Sequence, residues 1–220
     1  MREIILDTET TGLDPKSGHR IVEIGCIELM NHLPTGKTYQ QYVNPERDVP
    51  EGAFAVHGLS ADFLAGFPTF AAIVDEFLAF IGEDPLVIHN ADFDMGFVNT
   101  ELTRLGRPPL PMPRAVDTVR MARTKFPGAQ ASLDALCRRF AVDNSDRQLH
   151  GALKDADLLA QVYLELIGGR QPGLELARVG RTATTTERPI RAPRPHAPAP
   201  AELAAHEAFL GKLKDPVWRQ

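Results

Sequence analysis

Cysteine is scarce in this chain: the 220 residues hold two, Cys26 and Cys137, each in apolar surroundings. Free cysteine in such settings behaves as a small hydrophobe. No disulfide framework is therefore expected, and the pattern suits a reducing compartment. Long apolar runs are also missing. None approaches the ~18 residues that mark a membrane span, and Asp7 and Glu9 interrupt the N-terminal run Ile4-Ile5-Leu6 almost at once, so neither a signal segment nor a membrane anchor is expected. Positive charge is in deficit, with 24 Lys+Arg against 29 Asp+Glu and a net charge of −5. A protein that holds long duplex by charge alone needs a positive footprint. The deficit argues against that class, whereas a deep site gripping a few terminal nucleotides through metal ions needs no broad basic face.

What is present fits a globular domain with added material. The 43% hydrophobic content supports a sizeable core. Residues 1–170 carry 16 Lys+Arg and 24 Asp+Glu, a net of −8, and read as one domain. Residues 171–200 carry 5 Arg, 2 Glu and six prolines, a net of +3. Proline breaks hydrogen-bond ladders and this stretch has little to bury, so it reads as a flexible linker. In residues 201–220, Leu203, Leu210, Leu213 and Val217 fall near one helical stripe, with Phe209 beside it and Trp218 following. So short a helix is marginal alone and gains from a partner groove; folding back on its own domain is the other reading.

Within the first 170 residues, apolar strands are expected over 2–7, 20–30 and 37–43, the first two pairing after a turn around Gly12–Gly18. Phe70, Ile73, Val74, Phe77, Leu78 and Ile81 recur at helical spacing and predict a helix over 69–81. Leu86-Val87-Ile88 is a short fourth strand, 93–106 is helical, and Val116 marks a fifth strand. Helices over 132–140, with Ser132 as cap, and 152–167 close the domain. The order predicts an α/β fold with a mixed five-stranded sheet flanked by helices.

Three segments carry the chemistry. Asp7-Thr8-Glu9-Thr10-Thr11-Gly12 follows the first strand, and strand alternation points Asp7 and Glu9 the same way. Two adjacent carboxylates repel and lose hydration, and hard divalent cations offset both costs. An acidic turn is the plainer alternative. His89-Asn90-Ala91-Asp92-Phe93-Asp94 again follows a strand, where Asp92 and Asp94 equally suit a first helical turn. In His150-Gly151-Ala152-Leu153-Lys154-Asp155, the five-residue spacing denies His150 and Asp155 a shared helical face, so His150 belongs to the loop and Asp155 to the early helix. Asp157 reads as surface solvation. Four carboxylates, Asp7, Glu9, Asp94 and Asp155, with one histidine are what two-metal hydrolysis of a phosphodiester requires, the ions about 3.5–4 Å apart. Histidine suits the proton transfer because its ordinary pKa, about 6.5, lies near working pH.

These motifs together resemble the histidine-bearing branch of the DEDD 3′–5′ exonuclease family. Val56-His57-Gly58-Leu59, Phe126-Pro127-Gly128, Ser132-Leu133-Asp134-Ala135-Leu136-Cys137 and Ala205-His206-Glu207-Ala208 extend the likeness to its DnaQ-like proofreading members. The resemblance implies a ribonuclease H-like fold and removal of nucleotides from single-stranded or frayed DNA 3′ ends as nucleoside 5′-monophosphates. It assigns two Mg²⁺ or Mn²⁺ ions to Asp7, Glu9, Asp94 and Asp155, Asp94 acting partly through water, and the general base to His150. It also implies a cytoplasmic location at the replisome and docking of residues 201–220 on the alpha subunit of DNA polymerase III. A small theta-like subunit is a further implied partner, and Gln171-Pro-Gly-Leu174-Glu-Leu176 resembles a sliding-clamp motif without its aromatic.

Substrate contacts are expected from Thr8 and Thr10, whose side chains alternate away from the acidic face while the backbone after them meets the terminal nucleotide, and from His57, read as sitting in a glycine-containing loop. Phe93 is a candidate to stack on a base, with a core role as the alternative. His89 reads as structural, and His19, His32 and His196 are given no role. The rival enzyme reading is a stand-alone exonuclease acting on RNA or repair-intermediate 3′ ends. A non-catalytic scaffold is the rival of another class, against which every acidic position being filled argues.

Overall fold

A hairpin opens the fold: β1 (Arg2–Thr10) and β2 (Ile21–Met30) pair antiparallel, and β3 (Leu33–Tyr42) continues the meander. The computed structural model describes residues 1–145, 149–169 and 197–214. β1 runs three residues further than expected, which places Glu9 as well as Asp7 inside the strand. β3 starts earlier than expected because the turn is only Asn31-His32, with φ of 51° and 68°. Two consecutive positive φ values match the twist of a tight hairpin. As an edge strand exposed over most of its length, β3 lacks the apolar signal that marks its neighbours.

The sheet order is β3-β2-β1-β4-β5. β4 (Leu86–Ile88) and β5 (Ala115–Asp117) add in parallel to β1, so the sheet is mixed, as the sequence predicts. Alternation along β1 divides the core. Ile4 and Leu6 pack in one layer with residues of α3 (Phe70–Ile81) and α4 (Ala91–Arg104). Ile5 packs in the other, with residues of α6 (Leu133–Phe140) and α7 (Ala152–Leu166). Both cysteines are buried and unbridged. The Ser132 hydroxyl accepts from Ala135 N at 3.3 Å and caps α6 as expected.

Three short helices escape the sequence reading: α1 (Glu51–His57), α2 (Ala61–Leu64) and α5 (Thr118–Lys125). None fills the window of about 11 residues over which helical periodicity becomes readable. The chain falls into two units, Met1–Leu174 and Glu175–Gln220. In the second, α8 (Pro200–Leu210) begins before the predicted stripe and leaves Leu203 and Phe209 exposed. Val217, Trp218, Gln171, His196 and most of the expected linker lie outside the described residues. Among the described residues no helix is long and apolar enough to cross a membrane.

Candidate active site

β1 supplies the first two carboxylates. Asp7 is half-buried and Glu9 buried, and their cross-strand partners on β2 are Gly25 and Glu23. The start of α7 passes close over this part of β2. A Cβ on Gly25 would lie 2.3 Å from Ala152 C and Leu153 N, so glycine is what allows the approach. That approach brings in Asp155, which is buried early in α7. His150 sits in the loop before the helix, as its spacing predicts. Its backbone N–H donates to Val56 O at 3.0 Å, and its Nδ1 lies 3.2 Å from Asp155 Oδ2, with 46% of the side chain exposed. Ligand atoms of Glu9, His150 and Asp155 all lie within 4.8 Å of one another.

Asp94 comes from α4 and is buried. Its Oδ1 accepts from Thr8 N at 3.0 Å and Thr8 Oγ1 at 2.7 Å. The Thr8 hydroxyl is thus engaged in holding an acidic side chain, a job the sequence reading did not assign it. Burial pushes the Asp94 carboxyl up to about 7; the Thr8 bonds act against that shift and the charge of Asp117 adds to it. Asp117 was missed from sequence. It closes β5, and its side chain caps α5 by accepting from Val119 N at 2.8 Å.

Beside these groups lies a cleft of about 610 Å³. Of the four acidic candidates Glu9 lines it, with Thr8, Thr10, His57 and Phe93. All four expected substrate residues therefore meet the same space, although Thr10 Oγ1 also donates to Gly12 O at 2.6 Å. His57 corrects one expectation: it is the buried last residue of α1, not a loop residue. Its Nδ1 accepts from Leu59 N at 3.0 Å, while its Nε2 is buried. Burial lowers its pKa, with the Thr10 backbone acting in the opposite sense. Phe93 packs on the core and on Phe97 at 5.0 Å and also reaches the cleft. His19, assigned no role, also lines the cleft and bonds Thr11 Oγ1 through Nδ1 at 3.1 Å. His89 Nδ1 pairs with Thr118 Oγ1 at 2.9 Å, a structural contact. Asp157 is exposed and accepts from Gln161, as expected of a surface group.

The donor set suits hard divalent cations. Carboxylate oxygens from three separate elements are available, and an ionised Asp94 buried this deeply needs a nearby positive charge. His150 is the one nitrogen donor among Glu9, His150 and Asp155. The raised pKa has a measurable consequence. Below about pH 4 both folded and unfolded chains hold the Asp94 proton. As pH rises toward about 7 the folded state still holds it while the unfolded state does not, and this stabilisation is lost. In chelator, the wild-type melting temperature is expected to carry a fall between about pH 4 and about pH 7 that Asp94→Asn removes. Asn retains an acceptor for Thr8, so the variant folds; an unchanged pH slope would contradict this account.

Comparison with known proteins agrees with the geometry. A family model described as Exonuclease (RNase_T) matches residues 4–163. The chain is 50% identical over 222 residues to a DNA polymerase III subunit epsilon of Rickettsia felis, covering 97% of each. It is 44% identical over 225 residues to the subunit of that name in Escherichia coli K12, covering 95% of this chain and 92% of the relative. Among solved structures, the nuclease domain of 3′hExo, a DEDDh family member bound to rAMP, aligns with a TM-score of 0.66 at 21% identity, over 76% of this chain and 91% of that one. At that identity the likeness speaks for the fold alone.

Proposed function

The chain belongs to the exonuclease family that includes the DNA polymerase III epsilon subunits, and from that membership we propose that Asp7, Glu9, Asp94 and Asp155 hold two divalent cations while His150 moves the proton in a proofreading reaction. The activity is 3′–5′ exonucleolytic hydrolysis at DNA primer ends. The observation that carries the assignment of roles is the approach of Glu9, His150 and Asp155, far apart in sequence, to within 4.8 Å.

The frayed 3′ nucleotide enters the cleft, where Phe93 offers an aromatic face and His57 lines the wall. Magnesium or manganese, when bound, neutralises charge at the scissile phosphate and the departing oxygen. His150 takes the proton of the attacking water. The new P–O bond forms as the bond to the preceding nucleotide's 3′ oxygen breaks, and that oxygen takes a proton from solvent. The products are a nucleoside 5′-monophosphate and a strand one nucleotide shorter. Given Mg²⁺ and a 3′-mispaired primer, the wild type is expected to release monophosphates from the 3′ end and Asp7→Ala to release none. Comparable release by both would overturn the assignment.

Residues 1–170 form the nuclease domain in this reading, 171–200 a spacer, and 201–220 the element that docks on the polymerase alpha subunit. Tethering of this kind raises the local concentration of the nuclease at the primer end. Alpha subunit is expected to co-purify with the full chain and to be lost on deletion of 201–220, with hydrolysis of free 3′ ends retained. Equal binding by the deleted form would remove the tether and favour a stand-alone exonuclease on RNA or repair ends. A theta-like subunit and a clamp contact near Gln171 are further proposed partners.

A further inference from the structure

Glu23 is an expensive residue in its place. It is 2% exposed on β2 and sits directly cross-strand from Glu9. Like charges in that relation destabilise a sheet, and burial of a carboxylate requires hydrogen bonds in compensation. The bonds it makes explain its presence. Oε1 accepts from Gln40 Nε2 at 2.8 Å, and Oε2 accepts from Ala152 N at 3.0 Å. Ala152 opens α7, whose N-cap is Gly151, a residue with no side chain to cap the helix. The first four N–H groups of a helix lack internal partners, and the helix start favours negative charge. Glu23 therefore does from β2 what an N-cap side chain does from within a helix.

From this geometry we infer that Glu23 is a positioning residue for hydrolysis, fixing the start of α7 against β2 and so setting His150 and Asp155 relative to Glu9. The inference rests on the proposed roles of His150 and Asp155. Both flank the pinned residue: His150 lies two residues before Ala152, and Asp155 N donates to Gly151 O at 2.8 Å. Gly25, two residues along β2, lets the helix come near enough for the bond to form. Catalytic geometry tolerates little drift, a displacement of about 1 Å costing as much as ~10²-fold.

Two conservative variants separate the bond from the charge. Glu23→Asp keeps the charge but is one methylene too short to reach Ala152 N. Glu23→Gln loses the charge but keeps an oxygen for Ala152 N, with its NH₂ turned to the oxygen of a flipped Gln40. Amide hydrogen exchange at Ala152, measured on the cation-free chain, reads the bond directly. Steady-state hydrolysis of a single-stranded DNA 3′ end with Mg²⁺ reads its effect. Glu23→Asp is expected to lose about tenfold or more of Ala152 protection and roughly 10–100-fold of kcat, with KM little changed. Glu23→Gln is expected to stay near wild type in both. Unchanged protection in Glu23→Asp overturns the inference, as does lost protection with unchanged kcat. An active Asp form beside an inactive Gln form also overturns it, since charge would then be what matters. Should His150→Ala leave hydrolysis intact, the site assignment fails, while the exchange measurement still decides whether Glu23 caps the helix.

Discussion

His150→Ala is expected to lower kcat by roughly 10²–10⁴-fold, the usual contribution of a positioned general base, while the fold stays intact. The side chain is 46% exposed, and its loop is held by a backbone bond from His150 N to Val56 O that alanine preserves. KM for a single-stranded 3′ end should change little, because the imidazole acts on the attacking water rather than on the nucleotide. A base-deficient enzyme depends on hydroxide from solvent, so the residual rate should climb with pH over a range where the wild type has levelled off. Single-turnover hydrolysis between pH 6 and 9 makes the measurement. A variant within a few-fold of wild type would remove His150 from the reaction.

Gly25→Ala is the second large effect. Its Cβ would lie 2.3 Å from Ala152 C and Leu153 N, and these are backbone atoms that cannot swing aside. β2 and α7 must separate, and overpacking of this kind costs about 1–3 kcal/mol. In a domain of this size that is a fall of several degrees in melting temperature, at roughly 2–4 °C per kcal/mol. The displaced helix carries Asp155 away from Glu9, so kcat should fall with stability. Thermal melts and hydrolysis on one preparation test both. An unchanged melt would mean that helix and strand are less tightly apposed than the structure has them.

Local chemistry was legible in the sequence where one segment sufficed to state it. The apolar run at 86–88 is β4 to the residue, and the helical repeat from Phe70 to Ile81 is α3. The acidic residues of the three motifs could be named because each motif marks a strand end or helix start. What stayed hidden depends on partners distant in the chain. Thr8 looks like an ordinary strand residue until Asp94, 86 positions on, is placed against it. Glu23 looks like one more polar residue in a strand until Ala152 is placed above it, 129 positions on. His57 was misread because α1 has only seven residues and no side-chain cap at its start, so neither periodicity nor a start signal announced a helix. Asp117 carries no comparable signal, because α5, the helix it caps, has only eight residues and shows no readable periodicity.

The central claim is that Asp7, Glu9, Asp94 and Asp155 jointly hold cations at one phosphate. Anomalous diffraction from crystals grown with Mn²⁺ and a nucleoside 5′-monophosphate tests it most directly. The account predicts two manganese peaks about 3.5–4 Å apart, both within ligand distance of these carboxylates and of the nucleotide phosphate. Nucleotide seated in the cleft with manganese absent from that carboxylate set would contradict it.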